Sequence, residues 1–126
     1  MPEAATPYAV GQHDTRPWGE WMVIDCGVGF VVKRITVRPG QRLSLQRHKH
    51  RAEQWVVVAG TASVTLGDKV FPLTLGETTR IEPGDSHRVA NQGADDVVFI
   101  EVQTGSHLSE DDIERLHDDY GRTAAP

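Results

Sequence analysis

The stretch that decides the fold is "GQRLSLQRHKHRAEQWVVVAG", residues 40–60. From Arg42 onward, residues of two characters alternate, which is the period of a strand. Side chains two apart share a face, so Arg42, Ser44, Gln46, His48 and His50 fall on one side and Leu43 and Leu45 on the other. Histidines and a glutamine in a row suit the wall of a pocket better than a solvated face, where lysine and glutamate are commoner. The next strand begins at Glu53, shares a face with Trp55 and Val57, and is stopped by Gly60. A carboxylate among large apolar groups needs partners or a metal ion.

Outward from this stretch the chain repeats the same rhythm. "RPWGEWMVID" starts order, with Pro17 suited to an edge strand or its entry turn. "GFVVKRITV" is a β-branched strand ended by the turn "RPG" at 38–40. "TASVTLGD" reads as the hairpin neighbour of "EQWVVVAG", and Pro72 demotes "KVFPLTL" to an edge or a kink. "TTRIEPGDSHRVAN" carries a turn at 83–85, and "DDVVFIEVQ" is the last clear strand. Short strands at a spacing of roughly 8–12 residues, with turn signals between them, mark an all-β sandwich or barrel.

Both ends depart from that rhythm. Residues 1–15 are small, polar and unpatterned and read as a flexible arm, leaving a single domain over 16–126. In "LSEDDIERLHDDYGR", Ser109 stands as an N-cap with Asp112 in the capping-box position. Ile113, Leu116 and Tyr120 make one apolar stripe, and Gly121 follows as a stop. A short C-terminal helix docked on the barrel wall is expected.

The gross numbers restrict the function classes. The 126 residues suit one domain with its own core, and the net charge of −5 disfavours a nucleic-acid partner. The single cysteine, Cys26, excludes an intramolecular disulfide framework and a zinc finger. No secretory signal opens the chain, and no apolar run approaches the ~18 residues of a membrane helix. A soluble, cytoplasmic protein without a membrane partner is expected.

The chemistry lies in what joins His48, His50 and Glu53. His87 follows a tight turn and shares a face with Val89 and Asn91. Imidazole and carboxylate together suit a divalent first-row ion, zinc among them. His13, His107 and His117 lack such a setting and read as surface residues.

Gly40, His48, His50, Glu53 and Gly60, followed by Gly84, His87 and Asn91, resemble the two signature segments of the cupin superfamily. The resemblance implies a double-stranded β-helix, or jelly-roll, barrel. The longer match is to the type II mannose-6-phosphate isomerase domain, usually fused behind a mannose-1-phosphate guanylyltransferase. It rests on "RPWGEW", "VKRITVRPGQRLSLQRHKHRAEQWVVVAGTASVT", "RIEPGDSHRVAN", "IEVQTG" and "LSEDDIERLHDDYGR". "LSLQRH" and "HRAE" are also similar to the segments that supply zinc ligands in type I mannose-6-phosphate isomerases. Two ligand sets are therefore implied: Gln46, His48, Glu53 and His87, or His48, His50, Glu53 and His87. Relatives usually carry histidine where Gln54 stands, but by parity Gln54 faces away from Glu53.

The resemblance implies a metal-dependent aldose–ketose isomerisation of mannose 6-phosphate through a cis-enediol, serving mannose and polysaccharide metabolism. One divalent ion is expected, zinc ahead of iron, nickel, manganese or cobalt. His50 or Glu101 would move the proton. Lys33, Arg42 and Arg88 are the candidate phosphate cations, and Lys33, with Ile35 and Val37 on its face, is also counted with the catalytic groups. A non-catalytic sugar-phosphate-binding cupin and a cupin dioxygenase are the competing readings. A homodimer is expected, because cupin sandwiches have edges that a second copy can cover.

Overall fold

In the computed structural model, residues 8–121 are described. Three strands show how the sequence builds both the core and the site: β3 (Phe30–Val37), β5 (Arg51–Ala59) and β10 (Val97–Gly105). Each has two faces; the buried face of β5 and β10 is apolar in one half and polar in the other, and that of β3 is apolar except for Lys33. Val37 and Ile35 give way to Lys33; Val57 and Trp55 to Glu53 and Arg51; Val97 and Phe99 to Glu101 and Gln103. The register aligns these halves. Phe99 lies between Ile35 and Val57, Glu101 between Lys33 and Trp55, and Gln103 opposite Glu53. The interior is therefore dry toward Val37, Val57 and Val97 and polar toward Lys33, Glu53 and Glu101.

The remaining strands are β1 (His13–Arg16), β2 (Gly19–Gly27), β4 (Leu45–Arg47), β6 (Ala62–Leu66), β7 (Lys69–Leu73), β8 (Thr78–Ile81), β9 (His87–Ala90) and β11 (Glu114–His117). They form two antiparallel sheets facing each other, ordered β1-β2-β3-β10-β5-β8 and β11-β4-β9-β6-β7. Trp18, Trp21, Trp55 and Phe99, with valines from both sheets, fill the space between them. This is the sandwich expected from the alternating strands.

Three local expectations are corrected. β5 and β6 are not a hairpin, because Gly60 turns the chain from the six-stranded sheet into the five-stranded one. At Gly60, φ is +74° and an added Cβ would stand 2.7 Å from the Asp96 carbonyl oxygen, so glycine is required. The expected C-terminal helix is absent among the described residues. Its acidic first turn is used in tertiary contacts, and Glu114–His117 instead pairs with β4, whose backbone would otherwise be an open edge. The expected arm over 1–15 is ordered from Tyr8 onward. Tyr8 is buried against Trp21, with ring centroids 6.1 Å apart, and β1 pairs with β2. Residues 1–7 lie outside the described residues. Pro72 sits on β7, an edge strand, where a missing N–H costs no ladder bond.

Candidate metal centre

His48, Glu53 and His87 meet at the boundary between the dry and polar halves, and all three are buried. His48 follows the end of β4, Glu53 lies in β5, and His87 opens β9. Both sheets are thus needed to assemble the cluster. One ligand atom from each residue lies within 4.8 Å of the others. Nε2 of His48 is 3.3 Å from one Glu53 oxygen, and Nε2 of His87 is 4.0 Å from the other.

The ring orientations are held from behind. Nδ1 of His48 lies 2.6 Å from the Asp112 carbonyl oxygen, and Nδ1 of His87 lies 2.9 Å from that of Asp85. A carbonyl can only accept, so each Nδ1 carries a proton and each Nε2 is the ring nitrogen turned toward the cluster. This is the arrangement by which backbone carbonyls orient metal-binding histidines. Burial first, and then the Arg51 guanidinium, hold the His48 pKa down to about 4, so the ring is neutral at pH 7. Glu53 is ionised: burial opposes its charge, but the Arg51 guanidinium, the strongest of the neighbouring charges, helps to hold the carboxyl well below the usual range. Trp55 Nε1 donates to Glu53 at 2.9 Å. Two imidazoles and one carboxylate form a donor set that could hold a divalent ion.

Arg51 has a part here that sequence reasoning missed. Its Nε donates to Glu53 at 2.8 Å and its Nη2 to His48 Nε2 at 3.1 Å. An ion at this cluster and the guanidinium would draw on the same His48 lone pair. The only sequence signal was an arginine two residues from Glu53 on the same strand face. Glu101 adjoins Glu53 as a hydrogen-bonding partner, and Gln103 Nε2 donates to Glu101 at 2.7 Å. Burial, and then the Glu53 charge, push the Glu101 carboxyl up to about 8.

The other expected residues separate clearly. Gln46 pairs with His87 across β4 and β9 and borders the cavities beside the cluster. Its Nε2 donates to Ser44, so Oε1 is the atom it could offer an ion. His50 is not brought to the cluster. β4 ends at Arg47, a bend follows, and His50 is exposed with its ring 5.3 Å from that of His107. Its backbone N–H and that of Lys49 donate to the Asp112 carboxylate, which holds the bend. Arg42 and Arg88 do not supply a phosphate site there. Arg42 makes a two-pronged pair with Asp119, and the Arg88 guanidinium is used on the Leu43 carbonyl and His117. Lys33 does point inward and is buried, next to Glu101 in the register. Gln54 is exposed, as parity implied.

Two facing antiparallel sheets with a ligand-bearing inner wall are the architecture of a cupin. The Cnp3 cupin domain of Schizosaccharomyces pombe superposes with a TM-score of 0.66 at 14% identity, covering 68% of this chain and 64% of that one. The family model described as mannose-6-phosphate isomerase C-terminal matches residues 5–118, and the chain belongs to that family. The alginate biosynthesis protein AlgA of Pseudomonas aeruginosa is 59% identical over 111 residues, 88% of this chain and 23% of AlgA. The mannose-1-phosphate guanylyltransferase ManC of Salmonella typhimurium is 51% identical over 107 residues, 85% of this chain and 22% of ManC. The chain thus spans less than a quarter of the length of these relatives.

Proposed function

We propose that the domain is a metal-dependent isomerase that interconverts mannose 6-phosphate and its ketose through a cis-enediol. The observation that carries this reading is the buried His48–Glu53–His87 cluster beside a second carboxyl, Glu101, whose pKa is pushed up to about 8. An ion held by these three residues, with Gln46 as a fourth donor, would supply Lewis-acid stabilisation of the charge that develops on the sugar oxygens. Zinc is the first expectation, since a catalytic zinc site of three or four N and O donors keeps a position open.

The chain's own residues do the rest. Glu101 is the group that takes the proton from C2 and returns it to C1. A carboxyl poised near neutral pH can do both, as it must when one group serves both directions. Gln103 holds one Glu101 oxygen and so fixes the direction of the other. Lys33 is the cation that orients the substrate's phosphate. His50 has no part in the proton transfer, because its side chain lies on the outer surface.

By this reading the product feeds mannose and polysaccharide metabolism, in keeping with the alginate-biosynthesis name of a relative. The domain would act in the cytoplasm, as a homodimer. The test is metal analysis of the purified chain together with a coupled assay on mannose 6-phosphate before and after chelation. Turnover that chelation abolishes and added metal restores is expected. About one ion per chain without turnover would leave the metal site standing and favour a sugar-phosphate-binding domain. Glu101→Gln should lower kcat by roughly 10²–10⁴-fold while leaving the metal content unchanged; a smaller loss would remove Glu101 from the proton transfer.

A further inference from the structure

The polar half of the barrel is closed by the segment 108–113, which runs from Leu108, buried in the core, to Ile113 at the cavity wall. From this strap Glu110 inserts its carboxylate into a cage of donors. Lys33 Nζ donates to Oε2 at 2.7 Å, Tyr8 OH donates to the same oxygen, and Arg16 reaches Oε1 at 3.5 Å. Lys33 Nζ also lies 4.3 Å from the centroid of Trp21 and 4.6 Å from that of Tyr8. The cage therefore combines a buried ammonium with two aromatic faces.

One donor of the cage is not used by the Glu110 carboxylate. Trp21 Nε1 is buried without an acceptor among the described residues, and Trp21 lines this same cavity. Glu110 itself is a poorly buried occupant, with its side chain 43% exposed, whereas that of Lys33 is only 4% exposed. The cavity beyond it is about 70 Å³ and reaches Gln46, His48 and Glu101. That is small against the roughly 300 Å³ or more of typical ligand pockets. The cavity as it stands is smaller than a hexose phosphate needs.

We propose that Lys33, Arg16, Tyr8 and Trp21 form a phosphate-monoester subsite, and that the Glu110 carboxylate fills it until the substrate's phosphate displaces it and lifts the strap. Three phosphate oxygens and up to two charges match these four donors better than one carboxylate, which leaves Trp21 Nε1 unused, does. Glu110 then has two effects. It stabilises the empty domain by pairing Lys33, and it weakens substrate binding by the cost of its own displacement. The phosphate thus both anchors the sugar at the far end of the cavity and opens the way to it. The identity of the ligand as a sugar phosphate rests on the function proposed above; the anion subsite itself does not.

The test is titration of the full chain with inorganic phosphate by calorimetry, with hydrogen exchange read over residues 106–114. Phosphate should raise exchange across the strap in the wild type. Glu110→Ala should bind phosphate at least tenfold tighter, and adding Lys33→Met, or Arg16→Gln if that variant does not fold, should remove the gain. Unchanged phosphate affinity in Glu110→Ala, or a strap protected equally with and without phosphate, would overturn the proposal and leave Glu110 as a structural ion pair. Turnover of mannose 6-phosphate is scored separately. Phosphate-dependent strap opening without turnover would refute the isomerase reading alone, and turnover without it would refute the latch alone.

Discussion

The two halves of the barrel interior are built by the same three strands and behave as opposites. Around Val37, Val57 and Phe99 the buried groups are apolar apart from Asn91, whose amide donates to the Val37 carbonyl, and they need mainly neighbours of the right shape. Around Lys33, Arg51, Glu53 and Glu101 the buried side chains are titratable or hydrogen-bonded to a titratable group, and each needs a polar partner. The dry half offers no partner to exchange; on the readings proposed above, in the polar half an ion would replace a guanidinium and a phosphate would replace a carboxylate.

Substitutions sharpen the contrast. Phe99→Ala should cost about 4 kcal/mol of stability, as large-to-small changes in a packed core do. Chemical denaturation with and without zinc should show the same loss, because no ion can refill the cavity. Arg51→Met leaves Glu53 buried without its strongest counter-charge and should cost about 3 kcal/mol in the absence of metal. That loss should shrink when a divalent ion is added, and equal losses with and without the ion would break the comparison.

Asp112→Ala releases the bend that positions His48 and should weaken metal binding about tenfold, measured by competition with a chromophoric chelator. The smallest effect is in acid. Lys33 holds the Glu110 pKa down to about 2, although burial opposes the charge. A depressed carboxyl contributes stability above its unfolded pKa of roughly 4.5 and loses it as pH falls toward 2. Glu110→Gln should therefore flatten the acid limb of a stability-against-pH curve in that window and leave the neutral region's slope unchanged.

The failures of sequence reading have one cause. Period-two alternation was extended through residues 42–50, but β4 covers only Leu45–Arg47. Past its end, parity no longer holds. His48 stays inside because the Asp112 carbonyl holds it, and His50 turns out because the bend does. In the same way, Glu110, Asp111 and Asp112 read as a helical first turn from local propensity. Glu110 and Asp112 are instead drawn to Lys33 and to the backbone of residues 49 and 50, partners more than sixty residues away. Local preference is worth a fraction of a kcal/mol per residue, less than one such contact with a charged group.

By itself the sequence determined the all-β class, the inward placement of Lys33 and Glu53, the outward placement of Gln54, and the three residues common to both expected ligand sets. These follow from period-two patterning inside strands and from the chemistry of imidazole and carboxylate, which need no knowledge of distant partners. Only the tertiary structure decided that Gln46 rather than His50 lies beside that cluster, that Arg51 bridges His48 and Glu53, and that Glu110 caps the cavity. Each of these depends on where two chain segments far apart in sequence come to rest. That position is set by sheet pairing and burial across the whole domain, not by any local pattern.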